Sequence, residues 1–286
     1  MDETRSEGEL VLVATPLGNL GDLSPRALDL FRRADVIYCE DTRHSRVLFS
    51  AHDIPSGGRL QALHEHNEAA QSAHVIERVR EGQLVVLISD AGTPGISDPG
   101  ARVVAAVAEA GLRVSTAPGP SAVVAALSIS GLPTERFVME GFLPRKANER
   151  ERLVATWVEE PRTIVFYESP QRLAGVLDEL AEHFPARRVA VVRELTKVHE
   201  EVIRGPLVEV ATLLHDRDIL GEIVVVLEGG EVLVQVDEGV VREALEERLA
   251  DGDSTRDAVD FVAETLGVAR RVVYESALAL KRDATS

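Results

Sequence analysis

Cysteine is almost missing from this 286-residue chain, Cys39 being the only one. An intrachain disulfide is therefore excluded, and so is a cysteine-cluster metal site. Aromatic residues are scarce, at 4%, so a core has to rest on Val, Leu, Ile and Ala. No apolar run approaches the roughly 18 residues needed to cross a bilayer. The start of the chain, Met1 to Glu9, is polar and acidic and has none of the pattern of a secretory signal. These absences point to the cytoplasm and to no membrane partner. Basic residues are also in deficit: 31 Lys and Arg stand against 48 Asp and Glu, a net charge of −17. Phosphate binding normally leaves a basic footprint, so the balance leans away from nucleic acid unless basic side chains are gathered on one face. Otherwise the excess acid speaks for solubility.

What is present is a hydrophobic share of 45%, ordinary for a chain with a real core, on a length that suits two domains with a small appendage. The first half alternates short apolar runs with helical stretches. Strands are expected at Leu10–Ala14, Val36–Glu40, Leu60–His64, Leu84–Ser89 and Arg113–Thr116. Helices are expected over Ser24–Arg33, with Ser24 as cap and Pro25 in its first turn, and over Asn67–Arg80 and Pro99–Ala110. Near-continuous apolar strands separated by helices make a parallel sheet covered on both faces. An apolar helix follows the Pro118-Gly119-Pro120 turn and ends at Gly131. Beyond it, strands at Phe137–Glu140, Thr163–Tyr167, Arg188–Glu194, Glu201–Arg204 and Glu222–Glu228 follow one another more directly, so the second sheet should be mixed. Helices there occupy about Asn148–Val158 and Pro170–His183. The tail from Val240 to Arg282 reads as three short helices. The fold class is therefore α/β, with expected domains at 1–133, 134–230 and 231–286.

Chemistry concentrates in loops at the ends of strands, where open parallel sheets bind ligands. The strongest is Ser89–Gly100, SDAGTPGISDPG, in which glycines permit close backbone approach, prolines stiffen the loop, and Asp90 and Asp98 add carboxylates. It matches neither the dinucleotide fingerprint nor the Walker loop. Ala14–Asp22, ATPLGNLGD, is a second strand–turn–helix junction. In Cys39–Arg46, CEDTRHSR, a strand runs into Glu40, Asp41, Arg43, His44 and Arg46, which is costly unless they face a cleft or pair with each other. His64–Glu68, HEHNE, brings His64 and His66 two residues apart. No third ligand follows at a recognised spacing, so a polar substrate rim is expected and no metal. Phe142–Arg152, FLPRKANERER, is a local basic patch suited to backbone phosphate, although Glu149 and Glu151 can pair within it.

Taken in order, ATPLGNLGDLSPRAL, CEDTRHS, HEHNE, SDAGTPGISDPG, PGPSA, SGLPTERF, GFLPRK, VFYESPQR and RELTKVHEE resemble the ribosomal RNA small subunit methyltransferase I family, a branch of the tetrapyrrole methylase superfamily. The resemblance covers about Leu10 to Gly229, and the helical tail more loosely. It implies a two-domain cleft that binds S-adenosyl-L-methionine and transfers its methyl to the 2'-hydroxyl of a cytidine in the decoding region of 16S ribosomal RNA, in the small ribosomal subunit. It also implies a homodimer. Carried over by position, the donor contacts are Leu17 from the first loop; Asp90, Ala91, Gly92, Thr93 and Ile96 from the second; Ser121 and Ala122 from PGPSA; and Glu168 and Thr196 from the second domain.

A ribose hydroxyl is a weak nucleophile, so a base or polarising group is expected beside it. The candidates are Asp41, Glu40 and His64, with Arg43 to position phosphate or a carboxylate. RNA contacts are expected from His66 and from a basic rim of Arg26, Arg43, Arg46, Arg145, Lys146 and Arg150. A tetrapyrrole methylase and a non-catalytic ribosome-assembly protein are the alternatives.

Overall fold

The computed structural model describes residues 8–230, 237–268 and 270–283. Residues 1–7 and 231–236, at the edges of the expected first and third domains, lie outside the described residues.

The first sheet is built from β1 (Glu9–Val13), β2 (Val36–Cys39), β3 (Leu60–Ala62), β4 (Leu84–Leu87) and β5 (Arg113–Ala117), in the order β3-β2-β4-β1-β5, with every pairing parallel. Helices α1 (Pro25–Arg33) and α2 (Thr42–Ala51) pack Phe31 and Phe49 onto one face, against Val11, Ile37 and Val86. Helices α3 (Glu68–Arg80) and α4 (Ala101–Glu109) cover the other face with Val75, Val79, Val103 and Val107. Each fully buried Val or Leu contributes about 1.5–3 kcal/mol, which is how an aromatic-poor sequence holds two layers to a sheet.

Neighbouring strands β1 and β4 send their following helices, α1 and α4, to opposite faces. That reversal opens a crevice at the carboxyl ends of these two strands, the place where doubly wound sheets bind ligands. The loops that leave β1 and β4 are ATPLGNLGD and SDAGTPGISDPG.

Helix α5 (Ala122–Ser130) links the halves, and its Val123, Ala126 and Leu127 lie on the second sheet. That sheet contains β6 (Phe137–Phe142), β7 (Thr163–Glu168), β8 (Arg188–Arg193), β9 (Glu201–Pro206) and β10 (Ile223–Leu227), in the order β6-β7-β10-β8-β9. Only β6 and β7 run parallel; the other pairings are antiparallel. Its far face is covered by α6 (Ala147–Thr156), α7 (Pro170–His183) and α8 (Leu207–His215) around Trp157, Phe166, Leu177 and Leu214. The tail forms α9 (Glu238–Ala250), α10 (Thr255–Leu266) and α11 (Arg270–Asp283), closed around its own small core of Leu245, Val259, Val262 and Val273. Ser254 caps α10 and Gly267 ends it.

The α/β class, the parallel first sheet and the mixed second sheet match the sequence expectation. Two helices were not anticipated. Helix α2 hides in the charged string TRHSR, where Asp41 supplies the cap by accepting from the Arg43 amide. Helix α8 hides in LVEVATLLH, whose Val and Thr content reads as strand.

Candidate active site

Four loops are stitched together at the crevice. Thr15 and Gly92 exchange backbone hydrogen bonds of 2.9 and 3.1 Å, joining the first loop to the second. The Thr15 hydroxyl donates to the Ser89 carbonyl at 3.1 Å. The Thr93 hydroxyl donates to the Pro120 carbonyl at 3.0 Å, tying the second loop to PGPSA. Glu68, the last residue of HEHNE, is buried, and its Oε1 accepts from the amides of Gly100 at 2.9 Å and Arg102 at 2.8 Å. Gly92 has φ of +81°, and a Cβ there would sit 3.3 Å from Leu17 Cδ2. The glycine is thus required both by backbone conformation and by the close approach of the first loop.

Two cavities open at these loops. The first has a volume of about 300 Å³ and is lined by Leu17, Ala91, Ile96, Ser97, Asp98 and Ala122 from the first half. Phe142, Tyr167, Glu168, Ser169, Pro170, Val192, Leu195 and Gly221–Val224 line it from the second. The second cavity, about 290 Å³, sets His44, Ser45, Ser89, Asp90, Lys197 and Glu222 against apolar walls that include Leu20, Val47, Leu48 and Ile88. Leu17, Ala91 and Glu222 belong to both, so the two chambers share a partition.

The expected donor residues divide in a specific way. Leu17, Ala91, Ile96, Ala122 and Glu168 line the first cavity, and Asp90 lines the second. Gly92 and Thr93 hold the loops together, as described. Ser121 is the N-cap residue of α5, without a side-chain cap bond. Thr196 stands between Leu195 and Lys197, which line the first and second cavity respectively. Among the described residues, three of the four non-glycine residues with positive φ are Ser97, Glu194 and Thr196, so the strained backbone clusters around the cavities.

Glu168 is 2% exposed. Its Oε1 accepts from the Ser169 amide at 2.7 Å. Arg172 stands 3.2 Å from Oε2 but gives its hydrogens to the carbonyls of Leu143 and Pro144, which leaves Oε2 without a hydrogen bond. Burying such an acceptor unsatisfied costs about 1–3 kcal/mol. Asp98 has its pKa pushed up to about 6, chiefly by burial and further by Glu40 and Asp90. Burial also raises the Tyr167 phenol, with Asp98 adding to it.

The expected catalytic group arranges itself differently. Asp41 spends its carboxylate on Arg43: Oδ1 accepts from the Arg43 amide at 2.7 Å, and Oδ2 from a guanidinium nitrogen at 3.1 Å. Those bonds hold Asp41 below its ordinary pKa. Glu40 is exposed, and burial of part of its carboxylate together with the field of Asp90 raises its pKa, against the opposing pull of His64. The Asp41 amide donates to Asp90 Oδ1 at 3.2 Å, and His44 Nδ1 is 3.9 Å from Asp90 Oδ2. His64 and His66 are exposed on the turn after β3, with ring centroids 6.0 Å apart. Neither cavity is lined by Glu40, Asp41, Arg43 or His64.

Of the expected basic rim, Arg26, Arg43, Arg46, Arg145 and Lys146 are exposed. Arg150 differs from these five. It is only partly exposed, paired with Glu179 at 2.6 Å and donating to the Pro144 carbonyl, so its charge is engaged in holding α6 to α7. Cavity-lining residues to which the sequence assigned no contact are Asp98 and His44, noted only as charges in their loops, and Tyr167, Phe142, Lys197, Glu222 and Ser45. All but Glu222 stand inside the motifs; what no motif shows is which side chains turn inward.

The architecture sets paired loops at a switch point of the first sheet, with the second sheet closing the cleft over them. The family model for Tetrapyrrole (Corrin/Porphyrin) Methylases matches residues 9–211, and the chain belongs to that family. Within it, the chain falls in the branch of the ribosomal RNA small subunit methyltransferases I. It is 45% identical over 280 residues to the protein of that name from Mycobacterium tuberculosis (strain CDC 1551 / Oshkosh), covering 97% of each chain. It is 42% identical over 282 residues to the one from Pseudomonas aeruginosa, covering 96% of this chain and 98% of that one. A uroporphyrin-III C-methyltransferase from Thermus thermophilus, solved with S-adenyl homocysteine, superposes with a TM-score of 0.53 over 78% of this chain and 97% of its own, at 20% identity. That likeness is one of fold.

Proposed function

We propose that this chain is an S-adenosylmethionine-dependent methyltransferase acting on small-subunit ribosomal RNA, and that the acceptor is the 2'-hydroxyl of a cytidine in the decoding region of 16S RNA. The observation that carries the reading is the pair of cavities sharing Leu17, Ala91 and Glu222: one chamber suits a donor, the other an acceptor, with a common wall where they meet. The branch of the family names the RNA.

The residues of the first cavity fit the donor. Leu17, Ile96, Val192, Leu195 and Ile223 offer apolar walls. Glu168 Oε2, ion-paired with Arg172 but holding no hydrogen bond, has acceptor capacity left for an ammonium group, and the Asp98 carboxylate suits a cationic centre. When bound, S-adenosylmethionine supplies an electrophilic methyl on a positively charged sulfur. The work left to the protein is positioning, and the stitched loops make the site rigid enough for it. The acceptor's proton needs a recipient. Glu40 suits this better than Asp41, because no hydrogen bond within the described residues occupies its carboxylate, while Asp41 is committed to Arg43. His64, beside Glu40, is the third candidate.

Helix α5 supports a homodimer. It is apolar nearly all round, and Val124 and Ile129 remain exposed on the side away from the sheet; such a helix normally has both sides covered. Among the described residues no helix is long and apolar enough to cross a membrane, and the proposed place of work is the cytoplasm. Calorimetry with S-adenosylmethionine alone tests the donor site. Micromolar binding that is lost in Glu168→Ala supports it, and absence of binding by the intact chain refutes the enzymatic reading.

A further inference from the structure

Phe142 is the most exposed phenylalanine of the chain, 62% open to solvent, in a protein with few aromatics to spare. Three features show that its position is built. The register of β6 against β7 slips between Met139 and Gly141, and Gly141 adopts φ of +70°, a conformation that glycine alone takes without strain. This bulge re-aims the end of the strand, and Phe142 lines the donor cavity while the residue stays largely open to solvent. Its inner side meets Tyr167, ring centroids 5.3 Å apart and planes tilted by 48°. Gly141 itself lies against the Ser97 hydroxyl of the donor loop, the gap to an added Cβ being 3.6 Å.

Charge lies close by in sequence. Arg145, three residues on, is exposed and has no ion pair among the described residues, and exposed Lys146 holds only Glu149, at 2.8 Å. An exposed aromatic face with an unpaired cation three residues on and a second in reach of the same turn is the combination that binds an unstacked nucleobase with its phosphates: the ring stacks and the cations take the backbone.

We propose that Phe142 is a stacking platform for an unpaired nucleobase of the RNA substrate, the acceptor nucleotide or its immediate neighbour, seated at the mouth of the donor cavity. This rests on the RNA reading of the site. The base approaches from solvent along the open face of Phe142, and Tyr167 supports the ring from behind. Apolar contact alone would be met equally by Leu, whereas stacking demands an aromatic.

The test uses the full chain with purified small ribosomal subunits lacking the modification and, separately, with S-adenosylmethionine. Phe142→Leu and Phe142→Ala should raise the KM or Kd for subunits about 5- to 100-fold, the range of a lost base stack, and any rise in donor Kd, since the ring also lines that cavity, should be the smaller of the two effects. Phe142→Tyr should retain wild-type binding. Phe142→Trp should show indole fluorescence quenched on addition of subunits, a readout independent of turnover. The proposal is overturned if Phe142→Leu binds subunits like wild type, or if the loss falls on donor binding instead, which would assign the ring to the donor. If wild-type protein fails to bind subunits at all, the RNA reading itself falls.

Discussion

Glu68 and Gly100 lie 32 positions apart in sequence, yet the carboxylate of the first caps the helix that begins at the second. Oε1 accepts from the Gly100, Arg102 and Val103 amides at 2.9, 2.8 and 3.4 Å. A negative group at a helix start is favourable through the orphan amides and the helix dipole. Here it also fixes the far end of the second loop, the proposed donor loop. Glu68→Ala should therefore cost about 1–3 kcal/mol in urea denaturation and weaken donor binding in calorimetry. Glu68→Gln, which keeps an acceptor oxygen, should lose less than half as much of both. Equal stability of the alanine variant and wild type would show that the cap is idle.

Gly92 separates loop geometry from loop chemistry. Alanine there meets Leu17 at 3.3 Å in a backbone conformation with φ of +81°. Gly92→Ala should reduce donor affinity by at least about tenfold while costing about 1–2 kcal/mol of stability. An undiminished donor Kd would remove the first loop from the donor site.

Asp98 gives a pH dependence of unusual sign. Its folded pKa of about 6 lies above the ordinary 3.8. Below about pH 4 the group is neutral whether the chain is folded or not, and it costs nothing. As pH rises toward 6 only the unfolded chain ionises freely, so the native state loses stability, and the loss is complete above pH 6. Allowing for solvent screening of a partly open group, Asp98→Asn should stabilise the protein by about 1 kcal/mol near neutral pH and by nothing at about pH 3.5. The same ionisation should favour a cationic ligand. The affinity for S-adenosylmethionine should rise from pH 5 to 7 more than that for neutral S-adenosylhomocysteine. Parallel pH profiles for the two would remove Asp98 from the cationic centre.

Arg145 and Arg150 are five residues apart and should behave oppositely. Arg145→Ala removes an exposed cation, so it should weaken binding to small subunits, flatten its salt dependence and leave stability within about 0.5 kcal/mol. Arg150→Ala leaves the partly buried Glu179 without its cation and should cost about 1–3 kcal/mol of stability. Thermal melts and salt-titrated binding of both variants check this.

Much of this was legible in the sequence. Apolar runs place the ten strands within a residue or two, and Ser24, Ser254 and Gly267 mark helix ends because caps are local chemistry. The order of motifs also reaches the loops that form the cleft. What could not be read is which side chain in a motif serves which partner. CEDTRHS presents three charges as a catalytic group, but Asp41 is drawn away by the α2 amides and by Arg43. HEHNE draws attention to its histidines, while its structural weight rests on Glu68, whose partners arrive from a distant helix. Arg150 looks like Arg145 until Glu179 of α7 is set beside it. Such assignments depend on contacts across elements, which no local pattern carries.

The proposed division of the two adjoining cavities between a methyl donor and small-subunit RNA is tested most directly by transfer of tritium from labelled S-adenosylmethionine to purified small ribosomal subunits, followed by digestion of the RNA to nucleosides. Label is expected in 2'-O-methylcytidine at close to one methyl per subunit, and none in Glu168→Ala. Label on a base, or transfer to a tetrapyrrole precursor with none to RNA, would contradict it.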